Sequence, residues 1–196
     1  MTVFRLGLTG SIGMGKSTTA SLFADEGIPV WDADAAVHRL YSAGGGAVDA
    51  VAVLCPDALS AKGIDRAVLR DWIAMDTSAL SRLESAVHPL VAADRADFAA
   101  KTGSDIAVFD IPLLFEKATE VDMDATLLVT APPTLQRKRV LSRPGMTEAQ
   151  FALLVSRQMP DFEKRARATH IVETLSIDQT RAYVRALIDF IRSQHA

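Results

Sequence analysis

Short apolar runs separated by longer amphipathic stretches form the main pattern of this chain. The apolar runs predict strands at 4–8, 28–31, 106–109 and 126–129, with a weaker one at 170–172. Helical spacing fills the stretches between them and is most regular at Val184, Leu187, Ile188 and Ile191. Strands that alternate with helices are typical of a parallel sheet covered on both faces, so the pattern predicts an α/β fold.

A phosphate-loop motif directly follows the first predicted strand. Residues 10–17 read Gly10-Ser11-Ile12-Gly13-Met14-Gly15-Lys16-Ser17, which matches G-x-x-x-x-G-K-S. A strand, a glycine loop and a helix in this order direct backbone N–H groups and a helix dipole at one anion. Lys16 can reach the β- and γ-phosphates, and Ser17 offers a hydroxyl to Mg²⁺. The residues expected to contact a nucleoside triphosphate are Ser11, Ile12, Gly13, Met14, Gly15, Lys16, Ser17 and Thr18.

The stretch 35–101 departs from the alternation of strands and helices. Its pattern is mostly helical, with no clear central strand and with breaks at Gly44-Gly45-Gly46, Cys55-Pro56 and Lys62-Gly63. It is long for a simple crossover, so we interpret it as a helical insertion that binds the acceptor substrate. We therefore expect one domain over 1–196, with a core formed by 1–34, 102–133 and 168–196.

A basic segment, 134–167, precedes the last predicted strand. Its cations surround a break at Pro144-Gly145 and are Arg137, Lys138, Arg139, Arg143, Arg157, Lys164, Arg165 and Arg167. Such a run is often only a solvated helix face. Beside a triphosphate site it predicts a small helical lid, whose cations neutralise phosphate charge.

Acidic residues follow the second predicted strand. Asp32 and Asp34 are two residues apart, so on an extended chain they share one face at the end of the strand where open α/β sheets bind ligands. A kinase needs an anion near the hydroxyl group of its acceptor, to orient that hydroxyl and accept its proton. Asp34 is the expected residue for this role, and Asp32 is the second candidate. The structural alternative is that Asp34 caps a helix that begins near residue 35.

The third predicted strand also ends in an acid, Asp110, which is expected to hold Mg²⁺ through a water molecule. Pro112 lacks an N–H group and should end the strand. Leu113 and Leu114 then lie in a loop before Glu116, either as core residues or as the lining of a pocket for an organic acceptor.

Two further positions lie in the predicted insertion. His88 precedes Pro89 at the end of a helical segment that begins near residue 77, and a lone histidine is more often structural than functional. Asp65 is placed as a helix cap, and Arg66 beside it could face an anionic group of the acceptor.

The composition limits the possible classes. The 196 residues carry a net charge of −3, which argues against a general nucleic-acid binder. Cys55 is the single cysteine, so an intramolecular disulfide is excluded. No apolar run has the length of a membrane span. A cleavable signal peptide would remove the phosphate loop, so we expect a cytoplasmic protein without a membrane partner.

The ordered motifs resemble the dephospho-coenzyme A kinase family. They are Gly7-Leu8-Thr9-Gly10 before the loop, Asp32-Ala33-Asp34, Gly63-Ile64-Asp65-Arg66 with Leu69-Arg70, His88-Pro89-Leu90, Asp110-Ile111-Pro112-Leu113-Leu114-Phe115-Glu116, and Arg157-Gln158-Met159 with Glu163-Lys164. The resemblance implies a phosphate-loop nucleoside triphosphate hydrolase type of fold. It also implies transfer of the ATP γ-phosphate to the ribose 3′-hydroxyl of dephospho-coenzyme A, with Mg²⁺, in the last step of coenzyme A biosynthesis.

The resemblance further implies roles for individual residues. Thr9 and Asp34 would lie by the transferring phosphoryl group, where Lys16 also acts. Arg139 and Arg143 would come from the lid to the phosphates. The acceptor would be bound by Asp32, Asp34, Arg66, His88, Asp110, Leu113, Leu114 and Glu116.

Three positions depart from the family pattern. Ser11 stands where the family usually has glycine, and it fits if its φ angle is negative. Residues 54–57 lack an expected phenylalanine–glycine pair. Thr174 stands in place of an asparagine after the last strand, and its hydroxyl cannot make two-sided amide contacts with adenine.

Two other functions share parts of this pattern. Another small-molecule or nucleotide kinase would have the same loop, lid and acidic strand ends but a different insertion. A nucleotide-dependent switch would need no acceptor, and the chain has no N/T-K-x-D segment for reading guanine. The sequence leaves the oligomeric state open.

Overall fold

The predicted apolar runs form the strands of the structure, with bounds that differ by one or two residues. The computed structural model describes residues 3–195. Its strands are β1 (Phe4–Thr9), β2 (Val30–Asp32), β3 (Leu59–Ser60), β4 (Gly63–Ile64), β5 (Ile106–Asp110), β6 (Ala125–Thr130) and β7 (His170–Glu173). Its helices are α1 (Lys16–Asp25), α2 (Ala33–Tyr41), α3 (Val48–Leu54), α4 (Arg66–Met75), α5 (Ala79–Lys101), α6 (Pro133–Leu141), α7 (Glu148–Ser156), α8 (Asp161–Arg167) and α9 (Ile177–His195).

The chain divides into two compact units. The sheet unit comprises the described residues of Met1–Trp31 and Thr102–Ala196. The helical unit, Asp32–Lys101, corresponds to the predicted insertion at 35–101 and begins three residues earlier.

A five-stranded sheet in the order β2-β5-β1-β6-β7 confirms the α/β prediction. β1 lies at the centre and pairs in parallel with β5 and β6, and β6 pairs in parallel with β7. Strands that follow β1 in the sequence lie on both sides of it, so the strand order reverses at β1. The carboxyl end of a strand at such a topological switch point is where open α/β sheets bind ligands. The phosphate loop follows this end of β1.

The core of the sheet unit explains why its strands are continuous apolar runs. Every residue of β5 and β6 is buried, as expected for central strands covered on both faces. The predicted stripe on α9 packs into this core, and Val184, Leu187, Ile188 and Ile191 are all 5% exposed or less. β5 and β6, which flank β1, and the helices around them thus provide a rigid base for the loop.

The helical unit has its own apolar core. Its central members are Tyr41, Val51, Cys55, Leu69, Leu83 and Val87. The stretch adds no strand to the five-stranded sheet, but β3 and β4 form a separate antiparallel hairpin that the sequence pattern does not predict. Each strand has only two residues, which is too short to give an alternating pattern. Gly63 in the hairpin has φ 103°, a conformation that favours glycine.

Two local predictions for the helical unit have different outcomes. Asp65 does cap α4, since its carboxylate accepts from the Ala67 N–H at 2.8 Å. The predicted helix end at His88-Pro89 is wrong, because α5 runs through both residues to Lys101. Buried Leu83 and Val87 hold the helix on the core up to this point, and such packing can offset the hydrogen bond that proline removes.

Candidate active site

The phosphate loop has the backbone geometry that its glycines predict. Gly13 and Gly15 have φ angles of 77° and 93°, which favour glycine. Gly10 is required for a different reason, because a Cβ there would lie 2.3 Å from Cγ2 of Val129. Ser11 is not among the described residues with positive φ, so it fits the loop without the freedom of a glycine.

The start of α1 is suited to bind an anion. Gly15 precedes the helix and supplies no side-chain cap, so the N–H groups of the first turn have no acceptor within the helix. Ser17 and Thr18 in this turn are exposed. The helix dipole adds positive potential at the same place. This turn therefore offers backbone donors and two hydroxyl groups to a phosphate.

Lys16 is paired with the acid that ends β5. Its Nζ donates to Oδ1 of Asp110, and the Asp110 side chain is only 3% exposed. The register of β1 and β5 places Asp110 opposite Leu8, close to the start of the loop. The contact brings the lysine of the loop and this acid together at the carboxyl ends of β1 and β5.

Two other candidate residues, Met14 of the loop and Thr9 before it, have partners within the protein. The side chain of Met14 is buried, and its Sδ accepts from the Ala131 N–H at 2.9 Å. Its backbone N–H donates to the carbonyl of Ser11 at 3.1 Å. Thr9 is fully buried, and its hydroxyl donates to the carbonyl of Pro112 at 3.2 Å. Met14 and Thr9 thus shape the loop and its surroundings.

Two glutamines hold the peptide groups of Ile12. The Ile12 N–H donates to Oε1 of Gln158 at 3.0 Å. The Ile12 carbonyl accepts from Nε2 of Gln136 at 2.8 Å. Gln136 lies on α6, and Gln158 lies between α7 and α8, so both belong to the predicted lid segment.

Thr174 holds the loop from a second direction. Its hydroxyl donates to the carbonyl of Met14 at 2.7 Å. The same oxygen accepts from Nη1 of Arg139 at 2.9 Å, and the Thr174 carbonyl accepts from Nη2 at 2.5 Å. Arg139 is therefore anchored near the loop, whereas Arg143 is exposed beyond the end of α6. Thr174 is 5% exposed, which leaves its hydroxyl to the protein interior.

The interpretation of the basic segment as a solvated face is wrong for Lys164. This residue of α8 is fully buried, and its Nζ lies 2.8 Å from Oε1 of Glu116. The same carboxylate oxygen accepts from the Met159 N–H at 3.0 Å. Burial raises the pKa of Glu116, but hydrogen bonds from Lys164 and Met159 outweigh it and hold the pKa below its ordinary value.

The two leucines after β5 differ in exposure. Leu114 is fully buried and packs near Gly7, where a Cβ would lie 3.0 Å from Cδ2 of Leu114. Leu113 is 39% exposed. The core alternative thus describes Leu114, and Leu113 is the member of the pair that a ligand can reach.

The candidate residues of the helical unit lie at helix starts or on exposed faces. The alternative that Asp34 caps a helix is wrong, because Asp32 precedes α2 with extended backbone and its Oδ1 accepts from the Ala35 N–H at 2.7 Å. Asp34 lies exposed in the first turn of α2. Arg66 is the first residue of α4, and His88 lies on α5, both exposed.

The sequence interpretation did not assign the observed contacts of the residues that hold the loop, which are Gln136, Gln158 and Thr174, or the buried pairing of Lys164 with Glu116. Gln158 and Lys164 do belong to motifs that carry the family resemblance. Position in a motif was thus an available signal for these two. Gln136 and Thr174 have no local pattern that predicts their contacts.

Residues 3–195 lack two features that bear on cofactors and membranes. The described helices include none with the length and apolarity of a membrane span. Within the same residues there is no group of three or more histidine, cysteine, aspartate or glutamate side chains arranged to hold a metal ion.

Comparison with known proteins identifies the family. The family model for dephospho-CoA kinase (CoaE) matches residues 4–179. A dephospho-CoA kinase of Cereibacter sphaeroides is 68% identical over 192 residues, which cover 98% of each chain. The crystal structure of TT1252 from Thermus thermophilus aligns with a TM-score of 0.83 and 33% identity over 96% of this chain and 98% of that one. Dephospho-CoA kinase from Campylobacter jejuni aligns with a TM-score of 0.70 and 25% identity over 98% of each chain.

The family match and the geometry of the loop agree. The matched region includes the phosphate loop, Asp110, the lid segment and Thr174. The resemblance inferred from the ordered motifs is thereby confirmed. The chain belongs to the dephospho-CoA kinase family.

Proposed function

We propose that this chain transfers the γ-phosphate of ATP to the ribose 3′-hydroxyl of dephospho-coenzyme A, giving coenzyme A and ADP. The observation that carries the proposal is the pairing of Lys16 with Asp110 beside an uncapped helix start, in a chain of the dephospho-CoA kinase family. A loop of this kind binds a triphosphate through backbone N–H groups, the lysine and the helix dipole.

On the phosphate side, Lys16 exchanges its bond to Asp110 for bonds to the β- and γ-phosphates. Arg139 and Arg143 neutralise charge on the phosphates as the transition state forms. Arg139 is supported in this role by its anchorage to Thr174, because a fixed guanidinium needs little reorganisation. Thr9 supports the end of β1 next to the loop.

Ser17 and Asp110 are chemically suited to Mg²⁺. Mg²⁺ prefers oxygen ligands and usually binds through one or two protein groups together with substrate phosphates. An exposed hydroxyl at the helix start and a carboxylate at the end of β5 provide such oxygens. Bound there with ATP, Mg²⁺ supplies neutralisation of the charge on the phosphates.

On the acceptor side, Asp34 orients the 3′-hydroxyl and receives its proton. The hydroxyl oxygen forms a bond to the γ-phosphorus while the bond from that phosphorus to the bridging oxygen of ADP breaks. In a loose transition state the proton moves late, so orientation matters more than basicity. Asp34 is preferred to Asp32 because an oxygen of Asp32 is engaged by the Ala35 N–H.

Further acceptor contacts are proposed for exposed side chains. Arg66 suits an anionic group of the acceptor, while His88 and Leu113 offer a polar and an apolar contact. Leu114 and Glu116 support the segment that carries Leu113 from inside the sheet unit, through packing and through the bond to Met159. A cytoplasmic location, without a nucleic-acid or membrane partner, completes the proposal.

The test is a phosphotransfer assay with Mg-ATP and a set of acceptors: dephospho-coenzyme A, shikimate and nucleoside monophosphates. We expect dephospho-coenzyme A alone to gain a phosphate, at its 3′-hydroxyl. Lys16→Ala and Asp34→Asn should each lower kcat by about 100-fold or more, whereas Lys62→Ala, at an exposed lysine, should not. Transfer to another acceptor would refute the substrate, and near-normal kcat in Asp34→Asn would refute its role.

A further inference from the structure

The peptide groups of the phosphate loop are held by side chains from distant parts of the sheet unit. The Ile12 N–H and carbonyl are bonded by Gln158 and Gln136, and the Met14 carbonyl is bonded by Thr174. A Cβ on Gly13 would lie 2.5 Å from Cγ2 of Val140, so α6 also packs closely against the loop. The loop is therefore held on several sides before ATP binds.

The bond to Gln158 differs from the other two because its donor is a backbone N–H of the loop and Gln158 is the acceptor. An N–H can only donate, so the oxygen of the Gln158 amide must face Ile12. Backbone N–H groups are the donors with which such loops surround phosphates. The orientation of the Ile12 peptide thus depends on an amide side chain that lies outside the loop.

The position of Gln158 is fixed by its neighbours. The Gln158 N–H donates to the carbonyl of Val155 at 3.1 Å, at the end of α7. The next N–H, that of Met159, donates to Oε1 of Glu116 at 3.0 Å. Glu116 is in turn paired with fully buried Lys164. This pair holds the backbone next to Gln158, and so sets where the Gln158 amide can reach.

We propose that Gln158 is a positioning residue for ATP: it sets the Ile12 peptide of the phosphate loop, and the Glu116–Lys164 pair sets Gln158. The residue acts through Ile12, so its loss changes the geometry of the loop for the triphosphate. The acceptor contacts proposed above do not include this peptide. The kinetic effect rests on the proposed phosphoryl transfer, whereas the effect on Ile12 can be measured without it.

The first experiment measures amide hydrogen exchange of Ile12 by NMR in the full chain without ligands. Gln158→Met keeps the length of the side chain and removes the acceptor. We expect Ile12 to exchange about tenfold faster in this variant. Gln179→Met, the same change at an exposed position of α9, should leave Ile12 unchanged. Gln158→Glu keeps an acceptor oxygen and should restore the slow exchange. Unchanged exchange in Gln158→Met, or fast exchange in a folded Gln158→Glu, would overturn the proposal.

The second experiment separates the kinetic constants of the same variants. In Gln158→Met the KM for ATP should rise about three- to tenfold, while the KM for dephospho-coenzyme A stays within about twofold. A parallel rise of both KM values would indicate general damage and refute the positioning role. If the wild-type protein transfers no phosphate to dephospho-coenzyme A, the proposed function fails while the exchange result still decides the contact.

A double variant tests the link to Glu116. Glu116→Gln keeps an acceptor for the Met159 N–H but removes the charge that Lys164 needs. It should also raise the KM for ATP. Combined with Gln158→Met, it should add less than its single effect, because both changes act on the same peptide. Fully additive effects would refute the link between Glu116 and Gln158.

Discussion

The two units of this protein differ in whether their polar side chains are buried or exposed. Buried polar or charged residues occur in the described part of the sheet unit, at Thr9, Thr19, Asp110, Thr126, Thr130, Gln136, Lys164, Thr174 and Thr180. The described buried core of the helical unit is apolar, and its charged candidate residues Asp34, Arg66 and His88 are exposed. The candidate residues of the sheet unit thus include buried polar side chains, whereas the charged candidate residues of the helical unit are exposed.

The difference has a physical reason. A buried polar group is costly unless it has a partner, and in the sheet unit Asp110 accepts from Lys16 while Lys164 is ion-paired with Glu116. Fixed donors suit the triphosphate, since charge must be stabilised there without reorganisation. An exposed side chain on an apolar helical core keeps its freedom until a ligand orders it. Under the proposed function, preorganisation is therefore concentrated on the nucleotide side.

The largest expected effect on the free energy of unfolding is the loss of a buried ion pair, and the loss of an exposed ion pair is its control. Lys164→Met removes the partner of Glu116 and should lower the free energy of unfolding by about 3–5 kcal/mol. Lys101→Met makes the same change in an exposed pair with Asp97, whose lysine side chain is 75% exposed, and should cost less than about 1 kcal/mol. Urea denaturation followed by circular dichroism measures both. Equal losses would remove the contrast between the units.

A substitution in the apolar core of the helical unit should lower the free energy of unfolding somewhat less than Lys164→Met does. Leu69 is 3% exposed, so Leu69→Ala leaves a cavity and should cost about 3 kcal/mol. Leu80 on α5 is 48% exposed, and Leu80→Ala should change the free energy of unfolding by less than about 1 kcal/mol. Chemical denaturation of the two variants is the measurement. A small loss in Leu69→Ala would mean that packing does not stabilise this unit.

A hydroxyl beside the phosphate loop should have a smaller effect on stability. Thr174→Val keeps the shape of the side chain and removes its bonds to Met14 and Arg139, at a cost of about 1–2 kcal/mol. Thr77→Val, at an exposed threonine of the helical unit, is the matched control and should be neutral. Thermal denaturation compares the two. A neutral Thr174→Val would show that the hydroxyl is not part of the loop support.

The smallest expected effect is a pH dependence in the sheet unit. Burial lowers the pKa of His170 below its ordinary value of 6.5. As the pH falls through 6.5, the unfolded chain takes up the proton before the folded chain does, so stability declines on the acid side of neutrality. In His170→Gln the decline between pH 7 and lower pH should be shallower, as measured by denaturation at several pH values. An identical slope in the variant would exclude His170 as a source.

Much of the fold follows from local patterns. The strands were predicted within one or two residues because central parallel strands are continuous apolar runs, and the stripe on α9 was predicted because its period is helical. The β3–β4 hairpin was missed because it is too short for any period. The continuation of α5 through Pro89 was missed because tertiary packing outweighs a local preference.

The cap of α2 shows the limit of local reasoning at a site. Either aspartate of Asp32-Ala33-Asp34 has the chemistry of a helix cap. Which one caps depends on where the backbone leaves the extended region, and the structure gives that role to Asp32. The sequence alone left a cap at Asp34, two residues later, as an alternative, and the cap at Asp32 leaves the Asp34 carboxylate available for the proposed acceptor role.

The sequence by itself determined the phosphate loop, the order of strands and helices and the family resemblance, because each depends on residue types at short spacings. Only the tertiary structure decided which side chains hold the loop. Gln158 and Gln136 are 146 and 124 positions from Ile12, and Thr174 is 160 positions from Met14. Contacts at such separations depend on how the sheet and its helices pack, and no local pattern of residues encodes them.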